Sequence, residues 1–169
     1  MGKIITFDKT QQSKLYIMDF PNIFTKEISN QVIGRINNLT PETKGQWGTM
    51  NVGQMLAHCS VAYELHYDNK HPKPNAFTKF MIKLFAKKIV TGPAPYKRNS
   101  RTAPMFVMKE DKDFEKEKKR LVDYIQKTQE LGEAHFDGKE NLSFGKLTKN
   151  EWNNLFYKHL DHHLNQFGV

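Results

Sequence analysis

The last twenty-two residues constrain the fold more tightly than any other stretch. Thr148-Lys-Asn-Glu151 is a capping box, in which a threonine hydroxyl and a glutamate carboxylate three residues on satisfy free backbone N–H groups at a helix start. The helix it opens is expected to run to about Gln166. Trp152, Leu155, Phe156, His159, His163, Gln166 and Phe167 then fall on one stripe. The front of that stripe is aromatic and aliphatic; the back is imidazole. Ring nitrogens on a core-facing stripe cost free energy unless they find partners. A metal ion is one such partner, because residues i and i+4 lie about 5–6 Å apart at Cβ on one helix face. The plainer alternatives are a histidine bonded to a backbone carbonyl, or one exposed near the chain end. His162 also shares a face with His159, but His163 continues the line of Trp152 and Leu155 more directly.

A second capping box, Asn51-Val-Gly-Gln54, predicts a helix reaching about Tyr67 with Val52, Met55, Leu56, Cys59 and Ala62 inward. On an ideal helix His58 lies about 40° from Ala62 and about 60° from Met55, so it points inward or nearly so. It would complete a three-nitrogen site with an open position. Gln54, one turn before His58, and Gln166, three residues beyond His163, are candidate orienters of a ligand and equally good structural hydrogen-bonders. His66, His71 and His135 fall at helix ends or in loops and are given no role.

Apolar spacing predicts a first helix from Thr25 to Leu39, with Ile28, Val32, Ile36 and Leu39 inward. A third, from Asn75 to Val90, carries Phe77, Phe80, Met81, Leu84, Phe85 and Ile89, with Lys79, Lys83, Lys87 and Lys88 elsewhere around it. A basic amphipathic helix of that kind suits an anionic membrane surface; the plainer reading is packing on its own domain. A fourth, highly charged helix is expected from Asp111 to Leu131, with Phe114, Leu121, Val122, Ile125 and, at its end, Leu131 as its seam. Residues 96–108 and 132–145 read as loops. No segment alternates as a strand should. The expectation is an all-α chain forming a single domain over residues 1–169, with 1–22 a loose arm. Four core helices are joined by a basic amphipathic helix and a long irregular loop between the second and penultimate of them.

Charge is uneven. The 169 residues include 26 Lys and Arg against 18 Asp and Glu, and residues 69–109 hold ten basic and no acidic side chains. That stretch carries the whole excess, as a field for anionic ligands or a solvated face. Scattered glycines make no phosphate loop, and no aromatic–basic RNA motif is present. The single cysteine, Cys59, excludes an internal disulfide and reads as an inert core thiol. No stretch approaches the roughly 18 apolar residues of a membrane span. An N-terminal secretory core is missing, and the Met1-to-Thr6 match to a myristoylation pattern is too short to weigh. A cytoplasmic protein with a small-molecule substrate, and neither a nucleic-acid nor a membrane partner, is expected.

Trp47-Gly-Thr-Met-Asn51, Gln54-Met-Leu-Ala-His58, Phe144-Gly-Lys-Leu-Thr-Lys-Asn-Glu-Trp152 and His159-Leu-Asp-His-His163-Leu-Asn-Gln166 together resemble the DinB/YfiT-like metalloprotein superfamily. The nearest branch ends in Phe-Gly-x-Leu-Thr … Trp … His-Leu-x-His-His-Leu-x-Gln-Phe, and the likeness covers the chain from about Thr25 onward. The resemblance implies a DinB/YfiT-like four-helix bundle. It also implies a divalent metal, Zn or Ni foremost, held by His58, His159 and His163. Leu164-Asn165 stand where many relatives carry Arg-Gly, so no substrate-binding arginine carries over to that place. Relatives of known activity include thiol-dependent S-transferases using bacillithiol- or mycothiol-like cofactors, a maleylpyruvate isomerase and hydrolases. Relatives often pair as homodimers. The implied function is a metal-dependent transferase acting on a low-molecular-weight thiol. A metal-dependent hydrolase and a non-catalytic, stress-related metal-binding protein are the alternatives, because three neutral imidazoles with an open position serve each.

Overall fold

The computed structural model describes residues 20–68 and 70–169. The myristoylation pattern and nearly all of the arm expected over 1–22 lie outside the described residues. The described end of that arm is tied down: the Phe20 carbonyl accepts from Asn153 Nδ2 at 3.3 Å, and Asn22 Nδ2 donates to Glu133 at 3.1 Å.

The described chain is mostly helical, and both capping boxes form. Helix α1 spans Lys26–Asn37 under a Thr25 cap, and α2 spans Val52–Tyr67, opened by Asn51 and Gln54. Helices α3, Ala76–Phe85, and α4, Lys87–Thr91, follow, then a single 3-10 turn at Pro104–Phe106. Helix α5 spans Phe114–Phe136 under an Asp113 cap. A two-residue hairpin, β1 (Glu140–Asn141) and β2 (Gly145–Lys146), leads into α6, Lys149–Gln166, opened by Thr148 and Glu151.

Helix α2 packs on α5 and α6, α1 packs on the same two, and α5 touches α6. Apolar spacing explains these contacts, since Ile36, Met55, Leu56, Leu121, Ile125, Trp152 and Phe156 are all buried. At the centre Tyr63 lies flat between Tyr124 and Phe156, with ring centroids 5.7 and 4.6 Å away. Beside this stack the buried Glu64 carboxylate pairs with Arg120 and His71, and Arg120 also pairs with Glu117. Charge taken from water is here compensated on every side.

Lys158 is the least expected of the core residues. It is 2% exposed, and its ammonium donates to the carbonyls of Ile89 at 2.8 Å, Gly92 at 2.6 Å and Ala94 at 3.1 Å. These carbonyls lie at or just beyond the end of α4, where helix acceptors lack partners. Burial lowers this amine to about 8. The contact clamps α4 onto α6 and sets the course of the chain toward Tyr96.

Four expectations are corrected. The helix over 75–90 breaks at Ala86, whose φ of −101° departs from helical values. The fourth helix continues beyond Leu131, bending at Gly132 (φ 71°), because this bend carries Phe136 into the core against Phe24, Trp152 and Phe156. His135 therefore sits in a helical turn and not in a loop. The hairpin at 140–146 is too short for a period-two pattern to register in sequence. Finally, α3 has no buried residue: Phe77, Phe80, Leu84 and Phe85, with Ile89 on α4, are 60–74% exposed. Among the described residues no helix is long and apolar enough to cross a membrane.

Core and surface aromatics should respond oppositely to truncation. Phe156→Ala should cost about 3–5 kcal/mol in urea unfolding, whereas Phe80→Ala should stay within about 0.5 kcal/mol. His66 supplies a pH test. Burial first, then His135, lowers it to about 4 from an ordinary value near 6.5, with Lys139 and Lys127 adding smaller repulsions. The folded protein then leaves it neutral where the unfolded chain takes up a proton. Its contribution is therefore complete at neutral pH and is lost as pH falls from about 6.5 toward about 4. The fall in urea midpoint between about pH 7 and about pH 5 should be smaller in His66→Gln than in the parent.

Candidate metal centre

Three side chains from two helices meet between α2 and α6. His58 sits mid-way along α2, and His159 and His163 lie one turn apart on α6. One ring nitrogen from each falls within 4.8 Å of the other two. His58 Nε2 and His159 Nε2 are 3.0 Å apart. The His58 and His163 ring centroids are 4.5 Å apart, and His159 and His163 are 4.9 Å apart. Ligands on a tetrahedral ion at about 2.0–2.1 Å lie about 3.3 Å from one another. Adjustments of about 1.5 Å or less in ring position would therefore fit all three to one ion.

Hydrogen bonds behind two of the rings decide which nitrogens face the centre. His58 Nδ1 lies 2.8 Å from the Phe106 carbonyl oxygen, so that nitrogen carries the proton and Nε2 keeps a free lone pair. His163 Nδ1 lies 2.7 Å from Gln166 Oε1, and Gln166 Nε2 donates onward to the Trp47 carbonyl at 2.6 Å. The carbonyl of Trp47 accepts only, which fixes the glutamine amide so that its oxygen faces His163. Gly48, with φ at 81°, makes room for this relay, since a Cβ there would stand 2.5 Å from Gln166 Nε2.

Electrostatics keep the rings neutral, as metal ligation requires. Burial, opposed by the Phe106 bond, lowers His58. His159 is held well below the usual imidazole range by burial and then by His163 and His58. His163 is pushed down to about 3, by burial first and then His58, against the Gln166 bond. The donor set of three neutral nitrogens, unable to protonate near neutrality, fits a divalent transition-metal ion.

His58, His159 and His163, the trio expected from sequence, are thus brought together. His162, the rival partner, points elsewhere: its ring faces Trp47 and Tyr96 at 6.0 and 5.6 Å. Of the two glutamines, Gln166 supports His163. Gln54 is occupied by its cap, with Oε1 accepting from the Asn51 N–H at 3.0 Å and Nε2 reaching the Glu110 carbonyl. Among the described residues, no carboxylate or thiol joins the trio.

Sequence reasoning singled out Gln166 but not the carbonyls of Phe106 and Trp47, because backbone carbonyls leave no residue signature. It also missed a cleft of about 180 Å³ beside the centre, lined by Trp47, Tyr96, Arg98 and His162 among others. Arg98 lies over the Trp47 ring, 4.1 Å from its centroid. Tyr96, whose hydroxyl is pushed well above the usual phenol range by burial, stands with its ring 6.4 Å from His159.

The family described as "Protein of unknown function (DUF1569)" matches residues 24–168, and the chain belongs to it. No curated protein and no solved structure matches the chain.

The relay behind His163 should be measurable. Gln166→Leu should weaken zinc affinity about 10–100-fold in competition with a chelating dye. Gly48→Ala should weaken it in the same direction by displacing the glutamine amide. Unchanged affinity in both would show that His163 needs no such support.

Proposed function

We propose that this member of the family binds one divalent metal ion through His58, His159 and His163 and is a metal-dependent enzyme. The reaction we assign is transfer of a low-molecular-weight thiol to an electrophilic small molecule. The observation that carries the reading is the convergence of three neutral imidazoles from α2 and α6 within 4.8 Å, two of them held from behind by oxygen acceptors. The resemblance of the sequence motifs around His58, His159 and His163 to the DinB/YfiT-like superfamily supports it.

An ion held by three neutral nitrogens keeps its charge and an open position, and so supplies Lewis acidity toward a thiol or a water. The chain's own residues do the positioning. The Phe106 carbonyl and the Gln166 amide fix two rings, and the wall of Phe106 against His58 and His159 keeps water from that side. Arg98, with the rings of Trp47, Tyr96 and a His162 that burial keeps neutral, lines a cleft whose one carboxylate, Asp161, is already paired with Arg35, so that Arg98 is the charge available to an anionic group on the thiol or its acceptor. In the transfer, the thiol gives its proton to solvent, the sulfur forms a bond to the electrophilic carbon, and the leaving group departs with the bonding pair. The absence of a carboxylate or thiol beside the trio, among the described residues, favours an open site over a closed structural one.

Purified protein should carry close to one equivalent of zinc or nickel by elemental analysis, and His58→Ala or His159→Ala should lose most of it. Conjugation of a panel of small thiols to a model alkyl halide should stop on chelation and return when metal is added back. Turnover that survives chelation would overturn the enzyme reading. Metal retention with no turnover on any thiol or ester would favour the non-catalytic binding protein.

A further inference from the structure

The exposed face of α3 is the largest feature that the metal centre does not use. At about 100° per residue, Phe77, Phe80, Leu84 and Phe85 centre on one side of the helix, and Ile82 and Ala86 centre nearly opposite. Ile82 and Ala86 pack against the core. Phe77 is 74% exposed, and Phe80, Leu84 and Phe85 are 60% or more. The helix thus docks by its smaller apolar edge and holds its aromatic face away from the domain. Ile89 on the adjoining α4 is exposed to the same degree. A contiguous run of large apolar side chains on a surface helix marks an interaction site.

Charge identifies the partner. No acidic residue occurs from 69 to 109, against ten basic ones. Lys79 and Lys87 are spent on Glu140 and Glu151, while Lys83 and Lys88 are exposed and have no acidic partner among the described residues. Two copies of this face brought together would oppose like charges, which disfavours a homodimer through it. A layer of negative headgroups above an apolar interior complements both halves of the helix at once.

We propose that α3 is an interfacial helix that seats the protein on anionic lipid bilayers, with Phe77, Phe80, Leu84 and Phe85 entering the acyl boundary and Lys83 and Lys88 at headgroup level. This replaces the expectation from sequence that the protein has no membrane partner. It is a peripheral contact, and it stands whether or not the three histidines hold a catalytic metal.

The full chain is sedimented with phosphatidylcholine vesicles and with vesicles that also contain phosphatidylglycerol, across a salt series. Binding should be about tenfold or more tighter to the anionic vesicles and should weaken with salt. Phe80→Ser/Leu84→Ser should lower binding about tenfold or more, and Lys83→Gln/Lys88→Gln should remove the preference for anionic lipid. Both variants should melt at the parent's temperature, because the substituted side chains are exposed. The proposal is overturned by equal binding to the two vesicle types or by vesicle binding that Phe80→Ser/Leu84→Ser leaves intact. A dimer that this variant dissolves would assign the face to a second copy. A Phe80→Cys thiol that a water-soluble reagent does not modify in the free protein, or a melting temperature lowered as by a core substitution, would show the face already covered.

Discussion

Desolvation of three imidazoles between α2 and α6 is the constraint on which the rest of the site depends. An imidazole removed from water loses its proton, and each neighbouring ring deepens the effect; His159 feels both His163 and His58. The outcome is a cluster of basic lone pairs that has lost its means of becoming charged. Such a cluster is stable only when each ring's other nitrogen is bonded or the lone pairs share a cation. His58 and His163 satisfy the first condition through Phe106 and Gln166. The Nε2 atoms of His58 and His159 stand 3.0 Å apart, and with the His58 proton on Nδ1 it is His159 Nε2–H that donates to His58 Nε2.

The supporting shell comes from segments remote in sequence. Phe106 belongs to the 3-10 turn, Trp47 to the connection before α2, and both present carbonyls to the rings or to the amide behind them. Lys158, adjacent to His159 but turned the other way, clamps the end of α4 and so directs residues 95–98 along the cleft. Alternate residues of α6 therefore serve different tasks. The histidines converge on the centre while Lys158 fastens the chain that walls its approach. The exposed side of α3 lies apart from this work, which is why its apolar face is free to take another role.

Much of this was legible in the residues themselves. The two capping boxes located the starts of α2 and α6 because a capping box is a local exchange between two side chains and two backbone N–H groups. The stripe on α6 and the inward angle of His58 picked out the trio because helical periodicity converts spacing into direction. Where local rules ran out, so did legibility. Gly132 within α5 reads as a helix end, yet burial of Phe136 is worth more than an unbroken helix. The spacing of Phe77, Phe80 and Leu84 established that they share a face, but not which way that face turns.

The sequence by itself determined where α1, α2, α6 and the body of α5 lie, which side of α6 carries imidazole, and where positive charge concentrates, since each depends on neighbours within a few residues. Only the tertiary structure decided that His58 meets the α6 pair, that carbonyls from Trp47 and Phe106 stand behind the rings, and that α3 turns its aromatics to solvent. Those facts depend on how helices far apart in the chain dock, and docking is set by the summed burial of many side chains that no local pattern encodes.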